Sequence, residues 1–158
     1  MNLFEKISKQ QFDLDFNTTD ITYKDIKLPR RATKYSAGYD IFAPSDYVIA
    51  PGQTIKIPTG IRVSLDNNKF LMIVPRSGLG FKYRLQLDNT IGIIDADYYN
   101  SDNEGHIWVK LTNDTREGKI LRLQKGEGIA QGIILKYEIT DDDNADGIRN
   151  GGFGSTTK

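Results

Sequence analysis

Short segments rich in apolar and β-branched residues recur along most of this chain, and Gly, Pro, Asn or Asp separates each from the next. Segments of this length with frequent turn residues are typical of a β-sandwich or β-barrel and argue against alternating strands and helices. Upstream, apolar Phe4, Ile7 and Leu14 form a weak helical pattern. The fold class predicted from this pattern is all-β. The predicted strands are Ile26–Leu28, Tyr39–Ala43, Thr54–Ile57, Ile61–Leu65, Phe70–Val74, Ile91–Ile94, His106–Leu111, Ile120–Leu123 and Ile129–Tyr137.

The composition excludes several classes of function. The length of 158 residues predicts one domain over residues 1–158. Basic and acidic residues number 21 each, so no overall field attracts nucleic acid or a membrane, and we expect neither as a partner. The sequence has no cysteine, which excludes disulfides, thiolate nucleophiles and cysteine-bound zinc. Since His106 is the one histidine, a general base or metal site would depend on carboxylates.

The N-terminal residues differ from a secretion signal. Residues 1–10 carry charges where a signal peptide is apolar, and no apolar run approaches the ~18 residues of a membrane helix. We therefore expect a cytoplasmic protein, in a bacterium or, for a phage-encoded chain, in the host cell.

The C-terminal residues combine backbone freedom with groups that bind phosphate. Three glycines, Phe153, and the hydroxyls of Ser155 and Thr156 lie between Arg149 and Lys158. Backbone N–H groups and hydroxyls can surround phosphates while the aromatic ring covers a flat ligand. A chain end is usually loose unless a contact holds it, so a disordered polar tail explains these residues equally well. The acidic run at 141–146 is interpreted as a spacer before this segment.

A second candidate site follows the predicted strand Phe70–Val74. Arg76 and Ser77 lie in a segment with two glycines, Gly78 and Gly80. An arginine can bind phosphate oxygens with two parallel hydrogen bonds, and the hydroxyl and backbone can donate beside it. Taken alone, the fragment is explained better by a turn with a surface arginine.

A third candidate is Asp95, which follows three apolar positions at the end of a predicted strand. A carboxylate there is shielded on one side and can orient and deprotonate a water molecule. Asp97 would lie on the same side in an extended strand. The alternative, that both aspartates are turn formers after a strand, is favoured for this fragment alone.

Two weaker candidates lie near other strands. Asp40 opens a predicted strand and could hold a hydrated cation or brace an arginine, although a structural salt bridge is the commoner explanation. Gln131 follows the turn Gly126–Gly128 and could face a polar ligand or form a cross-strand hydrogen bond.

Five of these segments, in order and spacing, resemble the motifs of the trimeric dUTP pyrophosphatases (dUTPases). The resemblance covers roughly residues 26–156 and leaves residues 1–23 as an N-terminal extension, with 147–158 as a C-terminal arm. The segments are Ala37–Asp40, Pro75–Gly78, Gly92–Tyr98, Gly128–Gln131 and Gly151–Thr156.

The resemblance implies a distorted β-barrel or jelly roll that assembles as a threefold homotrimer. Three active sites would lie between subunits, with the flexible arm of one subunit closing over a site built by the others. The implied reaction converts dUTP and water to dUMP and pyrophosphate, with Mg²⁺ on the triphosphate.

The resemblance also implies roles for single residues on the base, sugar and water side of the site. Asp95 matches the residue that activates water for attack at the α-phosphorus. Tyr98 matches the ring that packs on the deoxyribose and leaves no room for a 2′-hydroxyl. The base would be read by the side chain of Asn89 together with the backbone of the following hairpin, which contains Gly92, Ile93 and Ile94.

On the phosphate side, the resemblance assigns one group of residues to direct contact and another to the arm. Asp40 matches the carboxylate that reaches magnesium through water. The phosphate contacts would come from Arg76, Ser77, Gly78 and Gln131. The arm would contribute Phe153, stacked on uracil, and a grip on the γ-phosphate from Arg149, Gly154, Ser155 and Thr156.

Three departures from the family pattern stand out. Gly128 occupies a place that usually holds an arginine, which puts an ion pair near the phosphates in doubt. Arg149 precedes Phe153 by four residues where many members have five. A longer polar loop, Tyr99–Gly105, follows Tyr98. We interpret His106, just after it, as structural.

Two alternatives were weighed against hydrolysis of dUTP. A deoxycytidine triphosphate deaminase of the same fold would require a base-side glutamate, and it does not fit the arrangement of Asn89, Asp95 and Tyr98. A nucleotide-binding regulator would be favoured by the loss of Asp95 or of the arm, and the sequence retains both. A regulatory protein partner beside catalysis is an additional expectation, with residues 1–23 and 100–105 as its surfaces.

Overall fold

The computed structural model describes residues 1–152, and within them almost all regular structure is β-strand. Two α-helices and two short 3₁₀ helices, Tyr23–Asp25 and Ala96–Asn100, connect the strands. The predicted all-β class is confirmed. The elements in chain order are β1 Leu3–Lys6, α1 Lys9–Asp15, β2 Tyr39–Phe42, β3 Tyr47–Ile49, β4 Thr54–Pro58, β5 Ile61–Ser64, β6 Lys69–Val74, α2 Ser77–Tyr83, β7 Leu85–Leu87, β8 Gly92–Asp95, β9 Trp108–Asn113, β10 Leu121–Leu123 and β11 Gly128–Lys136.

The strands form small antiparallel sheets of the jelly-roll type. The largest has the order β2-β11-β6-β8, a second has the order β4-β9-β7, and two-stranded sheets join β1 to β5 and β10 to β3. Such short strands enclose one core because each contributes alternate side chains to it. In β9, for example, Val109, Leu111 and Asn113 are buried while Lys110 is exposed.

The register of the largest sheet fixes where the candidate residues lie. Gln131 of β11 is opposite Asp40 of β2 on one side and Val74 of β6 on the other. Phe70, at the other end of β6, is opposite Asp95 of β8. The sheet therefore carries candidate residues at two separate corners.

The N-terminal residues pack on this core, but not as one helix. Phe4 lies in β1, which pairs with β5, and Leu14 is 62% exposed, so the single helical pattern predicted for these residues is wrong. The helix is α1, and it begins at Ser8, whose Oγ accepts from the N–H of Gln11. Its buried face consists of Phe12 and the following Phe16, whose rings stack at 4.3 Å.

The predicted strand Ile26–Leu28 is also wrong. The 3₁₀ helix Tyr23–Asp25 ends just before it, and Pro29, which has no N–H to donate, follows. Ile26 is nevertheless buried, so its side chain is part of the core although its backbone is not part of a strand. After this segment, the backbone next pairs with a strand at Arg30, which forms a single bridge with Asp40.

Two further strands and a helix had not been predicted from the sequence. Strands β3 and β7 have three residues each, too few for an alternating pattern to stand out. Helix α2 contains two glycines, which are poor helix formers, and it replaces the turn expected after Arg76. Among residues 1–152, no helix is long and apolar enough to cross a membrane.

Candidate active site

A cavity of about 670 Å³ opens beside β8. Its walls come from β4, β8, β9, the turn that leads into β8 and the last of the described residues, 149 and 152. Many of the residues predicted for the site line it. They are Asn89, Gly92, Ile93, Ile94, Asp95, Tyr98 and Arg149.

Asp95 ends β8 at the mouth of the cavity, with 46% of its side chain exposed. Arg149 of the same chain donates from Nη2 to Asp95 Oδ2 and from Nε to Asp97 Oδ1, the latter at 2.7 Å. Asp97 lies in the 3₁₀ helix Ala96–Asn100, so the two carboxylates do not share the face of an extended strand as expected. They converge instead on one guanidinium. An exposed carboxylate at this place can contact both water and a phosphate ligand.

Tyr98 is held at the inner wall by its hydroxyl. It donates to the carbonyl oxygen of His106 at 2.9 Å and accepts from Asn103 Nδ2 at 2.9 Å. Burial raises the pKa of the Tyr98 phenol, so the ring is neutral at physiological pH. The edge of the ring also packs against Gly152, where an added Cβ would lie 2.8 Å from Cε2. The aromatic ring therefore has one orientation beside Asp95.

Asn89 lies in the turn that carries the chain from β7, in one sheet, to β8, in another. The next residue, Thr90, has φ of +66°, which is an outlier for a β-branched residue. Backbone strain of this kind occurs at binding sites held in place by their surroundings. A Cβ at Gly92 would lie 3.1 Å from Ile73 Cβ and 3.7 Å from Asn89 Nδ2, so glycine allows this turn to pack tightly.

Strand β8 is the edge of the largest sheet among the described residues. One side of its backbone pairs with β6, and the other side presents N–H and C=O groups towards the cavity. Together with Asn89, this edge supplies both donors and acceptors at fixed positions. Such a wall can distinguish flat ligands by their hydrogen-bond pattern.

A second group of predicted residues lies elsewhere. Arg76 Nε is 3.0 Å from Asp40 Oδ1, and Arg76 Nη1 donates to the carbonyl of Gly128 at 3.3 Å. Gln131 Nε2 donates to the carbonyl of Pro75 at 3.1 Å. These contacts join β2, β6 and β11 at one corner of the sheet. Ser77 and Gly78 follow Arg76 as the first residues of α2.

The two groups are far apart within one chain. Asp40 and Asp95 lie on opposite edge strands, three strand spacings apart, or ~14 Å at about 4.8 Å per spacing. Along β6, Val74 and Phe70, which mark the two corners, differ by four positions, or ~13 Å. Asp40 therefore lies ~20 Å from Asp95 of the same chain, a distance that one ligand would have to span to contact both carboxylates.

The rest of the predicted site consists of residues in the C-terminal arm and a metal contact. Phe153, Gly154, Ser155 and Thr156 lie outside the described residues. Within residues 1–152, no group of three or more His, Cys, Asp or Glu side chains could hold a metal ion alone. Asp40 Oδ1 lies 3.0 Å from Arg76 Nε, and a single carboxylate suits a contact with Mg²⁺ through water.

A family model described as dUTPase matches residues 24–157. The chain belongs to the dUTPase family. The deoxyuridine 5′-triphosphate nucleotidohydrolase of Lactococcus lactis is 41% identical over 134 residues, which cover 83% of this chain and 88% of the relative. The resemblance noted in the sequence is thus confirmed at the level of the family, and the match starts after the N-terminal extension.

Solved dUTPases share the fold. The dUTPase from Streptococcus mutans superposes with a TM-score of 0.68 at 33% identity, covering 87% of this chain and 98% of that one. A mutant dUTPase from phage phi11 of S. aureus, described as revealing the coordination of a structural Mg(II) ion, has a TM-score of 0.67 at 19% identity and covers 93% and 97%. At that identity, the second likeness shows the fold alone.

One departure from the dUTPase pattern has a structural explanation. A Cβ at Gly128 would lie 2.7 Å from Arg76 Nη1 and 3.0 Å from its Cδ and Cζ. The Arg76 side chain therefore lies across the backbone of Gly128, where the family usually has an arginine. The space left by the missing side chain is used by Arg76.

Four polar or aromatic residues on the cavity wall were not predicted from the sequence: Lys56, Asp88, Trp108 and Lys110. Lys56 Nζ lies 4.6 Å from the centre of the Trp108 ring, and Lys110 Nζ is 3.1 Å from Asp88 Oδ2. A hydrogen bond from Thr112 lowers the pKa of Asp88, which keeps the carboxylate charged. For Lys56, Trp108 and Lys110, the available signal was the alternating pattern of polar and apolar residues in β4 and β9. Asp88, which follows β7, has no such signal.

Proposed function

We propose that this chain hydrolyses dUTP to dUMP and pyrophosphate by attack of water at the α-phosphorus. The observation that carries this proposal is the convergence of Asp95, Tyr98 and the Asn89 turn on one cavity of about 670 Å³. Membership of the dUTPase family and the printed function of the Lactococcus lactis relative support it. The volume is in the range of small-molecule sites.

The base would bind between Asn89 and the free edge of β8. Uracil presents an O4 acceptor and an N3–H donor, and cytosine presents the opposite pattern at position 4. A wall of fixed donors and acceptors rejects the wrong base by ~10⁴-fold or more, because the mismatch leaves buried polar groups unpaired. The tight packing of Gly92 on Ile73 supports such rigidity.

The sugar would pack on the Tyr98 ring. Because the phenol is hydrogen-bonded at two sides and the ring is buried, the side chain cannot swing away to admit a larger sugar. A 2′-hydroxyl would meet carbon atoms and lose its water partners. Deoxyribose is therefore favoured over ribose.

Asp95 would accept a proton from the attacking water. The nucleophile must lie in line with the leaving pyrophosphate, so a carboxylate at a rigid strand end both orients it and removes its proton. In this structure Arg149 pairs with Asp95 and Asp97 of its own chain. In the assembled enzyme the Arg149 of the closing arm would take that place and offset the charge that develops on the phosphate oxygens. The arm residues 153–156 would then cover the site and exclude bulk water.

The separation of the two residue groups supports a homotrimer with shared sites. By the strand spacings given above, Asp40 lies ~20 Å from Asp95 in one chain, and Gln131, one strand nearer, lies ~16 Å from it. Arg76 is paired with Asp40 at the same corner. These three residues would complete the site of a neighbouring protomer by binding its triphosphate, with Ser77 and Gly78 at the start of α2. The arm of a third protomer would close each site.

Mg²⁺ would be carried mainly by the triphosphate. Magnesium usually keeps several waters and binds one or two carboxylates together with substrate phosphates, which fits the donor set of the described residues. Asp40 would contact the ion through water while Arg76 holds the other side of its carboxylate. The ion would offset phosphate charge when bound.

In the cell, the reaction would lower dUTP and supply dUMP for thymidylate synthesis. A cytoplasmic location fits this role. A regulatory protein partner is a further proposal, for which residues 1–23 and 100–105 were the expected surfaces. The contacts of Ser8 with Glu104 tie these two segments into one surface.

The test is release of pyrophosphate from dUTP, dTTP, dCTP and UTP with Mg²⁺, measured beside the native mass. We expect turnover of dUTP by a trimer and little turnover of the other nucleotides. Asp95→Asn should abolish most turnover, whereas the matched Asp97→Asn, which also contacts Arg149, should retain most of it. Equal losses in the two variants, or an assembled protein that leaves dUTP intact, would contradict the proposal.

A further inference from the structure

The N-terminal segment is bound to the loop that follows Tyr98 at three places. The backbone N–H and Oγ of Ser8 donate to the two carboxylate oxygens of Glu104, at 2.8 and 2.6 Å. Tyr99 donates its hydroxyl to Glu5 Oε2 at 2.5 Å. At the end of α1, Asp15 Oδ2 lies 2.5 Å from His106 Nδ1. Strand β1 and helix α1, which lie outside the family match, are thus joined to a wall of the site.

His106 is fixed in one orientation and one tautomer. Its side chain is fully buried, and its Nε2 accepts from the backbone N–H of Gly60 at 2.9 Å. Since Nε2 is an acceptor, the neutral ring carries its proton on Nδ1 and donates it to Asp15. The ring lies between Phe16, with centroids 5.8 Å apart, and Trp108, at 5.1 Å. Asp15 and Gly60 thus satisfy both ring nitrogens of His106. The ring also packs against Trp108, which lines the cavity.

The backbone of the same histidine holds Tyr98. The carbonyl oxygen of His106 accepts from the Tyr98 hydroxyl, and Asn103 donates to that hydroxyl from the other side. A shift of His106 therefore shifts the acceptor that aims the Tyr98 ring. The connection from Asp15 to the sugar side of the cavity therefore consists of two hydrogen bonds joined by the buried residue His106, one at its ring and one at its backbone carbonyl.

We propose that Asp15 is a positioning residue which, through His106, aims the Tyr98 ring and so sets how strongly the site rejects a ribonucleotide. The inference rests on the proposed function, in which Tyr98 packs on the deoxyribose. Glu104 and Ser8 hold the same loop from outside. The N-terminal segment is thus a specificity element of this enzyme and not only a part of its core.

The experiment measures kcat and KM for dUTP and for UTP in Asp15→Ala, Asp15→Asn and the control Asp13→Asn. Asp13 lies in the same helix, is 58% exposed, and is paired with Lys9. Asp15→Ala should lower the ratio of kcat/KM for dUTP to that for UTP about fivefold, the factor that matches one net hydrogen bond. Asp15→Asn, which keeps an acceptor for Nδ1–H, should stay within about twofold, and Asp13→Asn should match the wild type.

A double-mutant cycle with Tyr98→Phe separates positioning from general stability. Tyr98→Phe keeps the ring and removes the hydroxyl, so Asp15→Ala should have little further effect on the ratio in that background. An unchanged ratio in Asp15→Ala, or an equal effect of Asp15→Ala in both backgrounds, would overturn the inference. Asp15→Ser serves in the same cycle if the alanine variant does not assemble.

The failure of the proposed function is distinguishable from the failure of this inference. If the wild type leaves dUTP intact, both are wrong. If the wild type hydrolyses dUTP but Tyr98→Ala leaves the ratio unchanged, the role of Tyr98 towards the sugar is wrong, and the positioning role of Asp15 is wrong with it. If those two controls behave as expected and only the Asp15 variants do not, the positioning role alone is wrong.

Discussion

Replacing Gly128 by alanine should weaken phosphate binding while leaving the fold intact. The new Cβ would lie 2.7 Å from Arg76 Nη1 and 3.0 Å from Cδ and Cζ, so the arginine must move away from β11. That movement breaks the donation of Nη1 to the Gly128 carbonyl and disturbs the pairing of Nε with Asp40. Arg76 would then no longer be held where a triphosphate is expected.

The magnitude follows from the contacts that are lost. A hydrogen bond from a charged donor contributes ~1.5–3 kcal/mol in buried settings, but the Arg76 side chain is 40% exposed, so we expect about 1 kcal/mol here. In a chain of this size that corresponds to a fall of ~2–4 °C in Tm. If the same ~1 kcal/mol is lost from the binding of the triphosphate, KM for dUTP should rise about fivefold, because ~1.4 kcal/mol corresponds to a factor of about ten in affinity.

The assay is pyrophosphate release over a range of dUTP concentrations, with a thermal melt of the same sample. Gly80→Ala is the matched control, because an added Cβ there meets nothing within 4 Å. The same KM in the Gly128 and Gly80 variants would refute the link between Gly128, Arg76 and the phosphates.

Further predictions concern the arm, the sugar and the buried histidine. Deletion of residues 150–158 should leave a trimer with the wild-type Tm and little activity; retained activity would contradict closure by the arm. Tyr98→Ala should raise UTP hydrolysis relative to dUTP, and a constant ratio in competition assays would exclude its role towards the sugar. Burial lowers the pKa of His106, against an opposing effect of Asp15, so the unfolded chain binds a proton more readily. The free energy of unfolding in urea should therefore fall as pH drops below ~6.5, by at most ~1.4 kcal/mol per pH unit, and His106→Gln should lose this slope between pH 7.5 and 5.5.

Much of the strand framework could be predicted because buried strands alternate their side chains. The segments Phe70–Val74 and Ile129–Tyr137 differ from β6 and β11 only at their ends. Residues 26–28 were wrongly predicted as a strand. Their apolar character indicates that side chains are buried, but it does not show whether the backbone pairs with another strand. Helix α2 was missed because Gly78 and Gly80 have low helix propensity. The contacts that favour the helix, from Leu79 and Tyr83 to the core, are not visible in the local sequence.

The candidate site was predictable where its residues are close in sequence. Asp95 and Tyr98 follow one another along β8 and the 3₁₀ helix, and the structure brings both to the cavity. The contact of Asp15 with His106 joins residues 91 positions apart and leaves no local pattern. The pairing of Arg76 with Gly128 depends on strand order, which a single sequence does not reveal.

In the proposed reaction, Asp95 directs water to the α-phosphorus of dUTP. A single turnover in water enriched in ¹⁸O, with the label located by mass spectrometry of both products, decides whether it does. We expect ¹⁸O in dUMP, none in pyrophosphate, and at least ~10²-fold slower labelling in Asp95→Asn although dUTP still binds. Label in pyrophosphate, or a normal rate in the variant, would contradict it.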